Sequence, residues 1–241
     1  MPNYVVLLSF VGTNFHGWQL QPGLRTVQGE LKAAIEKVFR EQVKLIGCCR
    51  TDAGVHAREY VANFKASREM DSHTVLKALN SLLPADIGIK KVWIEEGFNA
   101  RYSVRGKVYT YRILNSHQRD AFLELFCWRV VYPLDRERIK RACSLFIGRH
   151  DFSGFAKLED GEKNPIIDIE DVNFKEEREL IEISIRARSF LRYMVRRIVG
   201  SLVQLGLGKL RDEDIRDFLD GKRACPYTAK AKGLTLERII L

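Results

Sequence analysis

The octet Arg-Thr-Asp-Ala-Gly-Val-His-Ala at residues 50–57 is the stretch of the sequence best suited to chemistry. Asp52 follows Arg50 by two positions, so a guanidinium can lie beside its carboxylate and keep it ionised. Small residues in the same octet leave room for another molecule to approach the backbone closely. We therefore predict that Asp52 is a catalytic carboxylate, able to attack a substrate covalently.

A local structural role is the competing interpretation of this octet. An aspartate two residues before a glycine most often forms an Asx-turn or a cap, and Asp52 fits that description. His56 is a possible general base, but an orienting or packing role is the favoured interpretation. The octet by itself leaves catalysis and turn formation both open.

The charge balance favours a polyanionic partner. Forty Lys and Arg against thirty-one Asp and Glu give a net charge of +9, in a chain that is 46% apolar and therefore globular. Nucleic acid, an anionic membrane surface or simple solubility would each explain the excess. No apolar run approaches the roughly 20 residues of a membrane span, and no helix carries a basic amphipathic face. We expect Asp52 to act on an RNA base, with no membrane partner.

The five cysteines and the missing motifs exclude several classes of site. Cys48 and Cys49 with His56 have neither CxxC spacing nor a second pair, so no metal site is expected. The chain opens as a strand and not as a signal peptide, which predicts a cytoplasmic protein with free thiols. GxGxxG, GxxxxGK[ST], HExxH and GxSxG are all absent, so the sequence predicts no nucleotide cofactor, P-loop phosphate site, zinc protease or serine hydrolase.

The elements around the octet follow a βαββαβ order in the first hundred residues. Thr26 is a predicted helix N-cap. The predicted strands lie at 4–10, 43–48, 59–65 and 87–94, and the helices at 27–40 and 72–83. This split pattern is typical of ferredoxin-like and RNA-recognition folds.

The second half of the chain has a similar alternation of predicted strands and helices. We predict strands at 107–114, 128–132, 166–174, 179–188 and 234–240, helices at 135–147, 190–205 and 212–219, and a polar loop at 157–164. The predicted fold is α+β. Two similar βαββαβ halves form a mixed, mostly antiparallel sheet, with helices packed on it and a catalytic cleft between the halves. The halves are 1–100, which carries the aspartate loop, and 101–241.

Aromatic and basic side chains outside the octet each allow two interpretations. Trp18, in a glycine-rich loop, either stacks on unpaired bases or packs over the core. Tyr109 and Tyr111 share one face of a strand, where they fill the core or form a floor for an extruded base. Arg192 and Arg196, one turn apart on a predicted helix, contact phosphates or Asp52, or are merely solvated.

Six further motifs lie along the chain in a fixed order: FHGWQ at 15–19, FNARYS at 98–103, KVYTY at 107–111, HDFSGF at 150–155, FLRYMVR at 190–196 and KGLTL at 232–236. Together with the octet, which is the most specific motif, they closely resemble the tRNA pseudouridine synthase A (TruA) family, and the resemblance runs from residue 4 nearly to the C-terminus. The chain departs from the family pattern at Leu20, Asn99 and Lys230, none of which is assigned to chemistry.

The resemblance implies conversion of uridine to pseudouridine at positions 38, 39 and 40 of the tRNA anticodon arm. It implies no cofactor or metal, and a homodimer with RNA spanning both subunits. Asp52 matches the catalytic aspartate, Arg50 its neighbour, Tyr109 the tyrosine on the target base, and Arg196 the arginine paired with the aspartate. Attack at C6 of uracil and attack at C1′ of ribose both remain open. An RNA-binding module or tRNA chaperone without catalysis is the alternative.

Overall fold

The structure is a computed structural model and describes residues 1–157 and 164–241. Most of the polar loop predicted at 157–164 therefore lies outside the described residues, and its two end residues are exposed. None of the helices in the described part of the chain has the length and apolar character that crossing a bilayer requires.

The chain divides into two compact units, which confirm the α+β class. Unit 1 comprises Met1–Arg105 and Leu236–Leu241, and unit 2 comprises Gly106–Thr235. Each contains a mostly antiparallel layer of strands with helices packed on it. The assignment of functional halves to 1–100 and 101–241, their similarity and the cleft between them stay predictions.

Unit 1 has the element order predicted for the first hundred residues, followed by one short additional helix. Its antiparallel strand order is β4-β1-β3, with β2 paired to β3 and the last strand of the chain following β3. The elements are β1 (Asn3–Phe10), α1 (Val27–Phe39), β2 (Ile46–Gly47), β3 (His56–Lys65), α2 (Ser72–Leu82), β4 (Ile87–Ile94) and α3 (Ala100–Ser103).

Side-chain caps fix the starts of the two long helices in unit 1. The hydroxyl of Thr26 accepts a hydrogen bond from the N–H of Gly29 at 3.2 Å, which confirms the predicted N-cap of α1. The carboxylate of Asp71 accepts from the N–H of Thr74 at 3.0 Å at the start of α2. These local bonds explain why the sequence located both helices correctly.

The strand predicted at 43–48 is wrong in length, because β2 has only two residues. The N–H of Val43 donates to the carboxylate of Glu36 at 3.1 Å. The carbonyl of Leu45 accepts from the amide of Gln28 at 3.0 Å. Side chains of α1 thus satisfy the main-chain groups that a longer ladder would use.

Unit 2 has the antiparallel strand order β5-β9-β8-β7, with β6 paired in parallel to β5. The strand β7 was not predicted, since its sequence Gly-Arg-His-Asp has no apolar alternation. The elements are β5 (Gly106–Asn115), β6 (Trp128–Val130), α4 (Arg136–Cys143), β7 (Gly148–Asp151), β8 (Ile166–Glu177), β9 (Leu180–Ala187), α5 (Met194–Gly206), α6 (Asp212–Leu219) and β10 (Leu234–Ile240), whose end belongs to unit 1.

The helix predicted at 190–205 begins later than expected. Tyr193 has φ 65° and ψ −6°, a left-handed conformation that an α-helix cannot contain, so α5 starts at Met194. Arg192 precedes the helix, and its predicted place one helical turn from Arg196 is wrong. The apolar side chains of Met194, Ile198 and Leu202 on α5 are buried.

Candidate active site

The octet forms a loop that leads directly into β3 at His56, and a second loop, residues 11–23, lies against it. The N–H of Trp18 donates to the carbonyl of Thr51 at 3.2 Å, and the N–H of Gly54 donates to the carbonyl of Phe15 at 3.3 Å. These main-chain bonds join the two loops on either side of Asp52. The backbone that carries the carboxylate is therefore held by hydrogen bonds to residues more than thirty positions earlier in the chain.

A tight turn shapes the octet itself. The N–H of Val55 donates to the main-chain carbonyl of Asp52 at 3.2 Å, and Gly54 has φ 78°. Only glycine adopts that conformation without strain. Asp52 is partly exposed, while Arg50 and Ala53 on the same loop are exposed. The turn thus leaves Asp52 partly exposed, on a loop that also carries small side chains and an arginine.

Two glycines of the second loop allow this close approach. A β-carbon at Gly12 would overlap the carbonyl of Val55. A β-carbon at Gly17 would overlap the carbonyl of Thr51 and lie 3.2 Å from the carbonyl carbon of Asp52, at a backbone φ of 85°. No residue with a side chain fits either place without moving the octet.

His56 joins the two loops through a buried side-chain hydrogen bond. Its ring is only 2% exposed, and its Nδ1 accepts the N–H of Gly12 at 3.0 Å. An accepting Nδ1 requires that the neutral ring carry its proton on Nε2. Burial and this bond agree with the favoured orienting or packing role of His56, which stays a prediction.

The aromatic residues of the second loop belong to the core. Trp18 is buried and stacks on Tyr60 with ring centroids 4.1 Å apart and planes at 25°. Phe15 is buried as well, with the guanidinium of Arg25 over its ring at 4.2 Å. Base stacking by Trp18 is therefore wrong, and packing over the core is confirmed. His16 is the exposed ring of this loop.

Thr51 is an exception to the usual pairing of buried polar groups. Its side chain is buried, and within residues 1–157 and 164–241 its hydroxyl has no hydrogen-bond partner. An unpaired buried hydroxyl typically costs about 1–3 kcal/mol. The residue immediately before Asp52 thus reduces the stability of the loop.

We expect Thr51→Val to raise the free energy of unfolding by about 1 kcal/mol, because it replaces the unpaired hydroxyl by a methyl group of similar size. Thr26→Val is the matched control, since Thr26 is also buried but its hydroxyl caps α1. That change should lower the stability by about 1 kcal/mol. Urea unfolding of both variants measures the difference, and equal losses would contradict the assignment.

Tyr109 and Tyr111 lie on β5 in unit 2. Tyr109 is 6% exposed and meets the ring of Phe190 edge-on, with centroids 5.0 Å apart. Tyr111 is fully buried and donates its hydroxyl to the carbonyl of Lys230 at 2.6 Å. Burial raises the pKa of Tyr111 far above its ordinary value, against a smaller opposing effect of Arg196, so it remains a donor. Core packing therefore explains Tyr111.

Arg196 lies in the first turn of α5 and is fixed by the chain segment that passes over the helix. Its Nε donates to the carbonyl of Ala229 at 2.9 Å, and its main-chain carbonyl accepts the N–H of Ala229 at 3.0 Å. Its guanidinium lies 5.2 Å from the ring centroid of Tyr193, as does that of Arg192. Arg196 is thus anchored and not merely solvated.

The sequence-predicted site residues fall into two groups. Asp52 and Arg50 share one loop of unit 1, whereas Tyr109 and Arg196 belong to unit 2. Sequence reasoning missed Gly12 and the loop-joining bond of His56. The available signal was the richness in glycine of the segment 11–23, but a glycine does not reveal which backbone approaches it.

Cysteine and metal chemistry receive no support from the described residues. The five cysteines are free thiols, as predicted. Burial raises the pKa of Cys127 and Cys225 to about 11 and that of Cys143 to about 12, so these thiols stay protonated. Across the described ranges, no three His, Cys, Asp or Glu side chains come together where they could hold a metal ion.

The chain is similar to known proteins over its whole length. A family model described as tRNA pseudouridine synthase matches residues 7–103 and 142–240. The tRNA pseudouridine synthase A of Aquifex aeolicus (strain VF5) is 50% identical over 242 residues, which cover 100% of both chains. That of Thermoanaerobacter sp. (strain X514) is 41% identical over 243 residues, again with 100% of both chains covered.

Proposed function

The chain belongs to the tRNA pseudouridine synthase family, a family of isomerases, and from that premise we propose its site and its mechanism. It converts uridine to pseudouridine at positions 38, 39 and 40 in the anticodon stem-loop of tRNA. Asp52 is the nucleophile, and no cofactor takes part.

The rigid mounting of Asp52 is the observation that carries this proposal. Main-chain hydrogen bonds from Trp18 and Gly54 join its loop to the second loop, and His56 accepts a hydrogen bond between the same two loops. A nucleophile held in place does not have to be ordered when the substrate arrives, which lowers the barrier to reaction. An aspartate that served only to form a turn would not need such extensive support.

The proposed reaction begins when the target uridine leaves its stack, at a cost of a few kcal/mol. The Asp52 carboxylate then forms a bond to C6 of uracil or to C1′ of ribose. The bond between N1 and C1′ breaks, the base turns, and C5 bonds to C1′. The bond to Asp52 breaks again and the proton on C5 is lost to solvent while N1 gains one. Substrate and product therefore have the same atoms.

The other site residues position the reactants in this proposal. Arg50 and Arg196 direct the carboxylate of Asp52 at the base, and Tyr109 packs against the uracil ring. Two contacts support these roles: Arg196 is fixed by the carbonyl of Ala229, and Tyr109 is fixed by the edge of Phe190. Anchored side chains position a substrate better than freely rotating ones.

The partners in this proposal are tRNA and a second copy of the chain. The net charge of +9 supports contacts to phosphates. Each phosphate contact should steepen the salt dependence of binding by about 0.7–0.9 log units per log unit of salt. We propose a homodimer with the RNA spanning both subunits, which sedimentation would detect as a species of twice the mass of one chain.

Tritium release from tRNA labelled at C5 of uridine tests the reaction. We expect release from a transcript with uridine at positions 38, 39 and 40, and none from a matched transcript with cytidine at these positions. Release from both transcripts would contradict the proposed positions. Tight binding of both transcripts without release from either would favour the non-catalytic RNA-binding module.

A further inference from the structure

The short helix α3 in unit 1 presents an aromatic ring to solvent between two basic residues. Tyr102 is 73% exposed, and Arg101 and Arg105 on either side of it are exposed as well. The guanidinium of Arg101 lies 5.8 Å from the centroid of the Tyr102 ring. The motif at 98–103 matched the family without receiving any role, so the function of this group of side chains is open.

A buried network of amide side chains anchors α3 to β3. The carbonyl oxygen of the Asn63 side chain accepts the N–H of Ala100 at 2.8 Å. Its amide nitrogen donates to the side chain of Asn3 at 2.9 Å, and Asn3 donates in turn to the carbonyl of Phe98 at 2.9 Å. Both asparagines are buried. Buried amides with satisfied hydrogen bonds hold a segment in one conformation.

Local bonds then fix the backbone of α3 itself. The side chain of Asn99 accepts the N–H of Arg101 at 3.0 Å, and the hydroxyl of Ser103 accepts the N–H of Asn99 at 3.0 Å. The N–H of Tyr102 donates to the carbonyl of Asn99 at 2.9 Å. A rigid support therefore carries a ring that contributes little apolar burial to the fold.

The location of α3 separates it from the catalytic loop. Its anchor Asn63 lies seven residues along β3 from His56, where the octet enters the strand. At about 3.3 Å per residue, the two points are roughly 20 Å apart. A ligand that touches both must be large, as a folded RNA is.

We propose that α3 is a second contact for the tRNA substrate, in which Tyr102 stacks on an unpaired base and Arg101 and Arg105 bind the adjacent phosphates. The proposal rests on the tRNA substrate of the proposed function. An exposed aromatic face between positive charges complements a base next to phosphates, and stacking of this kind does not require a particular base. The rigid mount keeps the ring oriented before the RNA arrives.

The test measures the Kd of tRNA in an Asp52→Asn background, where no turnover disturbs binding. Tyr102→Ala should raise the Kd about 5- to 150-fold, because stacking on one base is lost. Tyr102→Phe should stay within about twofold of the parent, since it keeps the ring. Phe122→Ala is the matched control, because Phe122 is 92% exposed in unit 2, and it should leave the Kd unchanged.

A fully paired RNA duplex of similar length separates stacking from general electrostatics. Tyr102→Ala should leave the Kd of the duplex unchanged. Arg101→Ala and Arg105→Ala should instead weaken the binding of both RNAs and reduce the salt dependence of that binding. Equal losses for tRNA and duplex, an unchanged Kd for tRNA, or loss of the dimer in sedimentation would each overturn the role of Tyr102. Failure of tritium release by the wild-type chain would instead overturn the proposed reaction, and the Kd values would still test the role of Tyr102 in binding tRNA.

Discussion

Asp52→Asn should abolish tritium release from tRNA labelled at C5 of uridine, with a loss of about 10⁴-fold or more. Asparagine has nearly the same size and shape, but its amide oxygen is a far weaker nucleophile than a carboxylate. The main-chain bonds that hold the loop do not involve the Asp52 side chain, so they persist. The Kd of tRNA should therefore change by less than about threefold, with under 1 kcal/mol lost.

Asp71→Asn is the matched control for this change. Asp71 caps α2 by accepting the N–H of Thr74, and asparagine caps a helix about as well as aspartate does. We expect its turnover to equal that of the wild type. Turnover within about tenfold of the wild type in Asp52→Asn would exclude Asp52 as the nucleophile, since a catalytic carboxylate contributes more than that. Loss of tRNA binding with loss of turnover would favour a structural role.

Gly17→Ala should destabilise the protein by about 2–4 kcal/mol and should also lower turnover. Two effects add here: a left-handed backbone at φ 85° and a methyl group placed against the carbonyls of Thr51 and Asp52. The octet must move away to admit the methyl group, which shifts Asp52 from its position. Thermal unfolding and the tritium assay measure the two consequences separately.

Gly23→Ala isolates the first of these effects. Gly23 has a similar φ of 71°, but a β-carbon added there would have nothing within 4 Å of it. The left-handed strain alone should cost about 1–2 kcal/mol and leave turnover intact. If Gly17→Ala and Gly23→Ala prove equally stable and equally active, then the close approach of the two loops does not position Asp52.

Sequence patterns succeeded wherever an element depends on its own residues. The helix α1 begins at the predicted cap because the Thr26 hydroxyl bonds to an N–H three residues on. The range of β4 was predicted correctly from its apolar, β-branched residues, and the order of elements in unit 1 followed from such segments. Interactions between residues a few positions apart depend only on the local sequence, so hydrophobic periodicity and capping residues predict them.

Predictions failed where a distant segment or a single dihedral angle intervened. The strand around β2 was predicted too long, because Glu36 and Gln28 of α1 bind the main chain that precedes it. The start of α5 was predicted too early, because Tyr193 is left-handed, a conformation that tyrosine rarely adopts. Neither cause leaves a periodic signal in the sequence.

The sequence by itself determined the family of this chain, through the order of its motifs, and it supplied the prediction that Asp52 is the catalytic carboxylate, through the residue types and spacing of the octet. Only the tertiary structure decided how that aspartate is held: by backbone contact at Gly17, a bond from Gly12 to His56, and a buried Trp18. The physical reason is that these contacts join residues about forty positions apart, and close approach of two backbones depends on the folded chain.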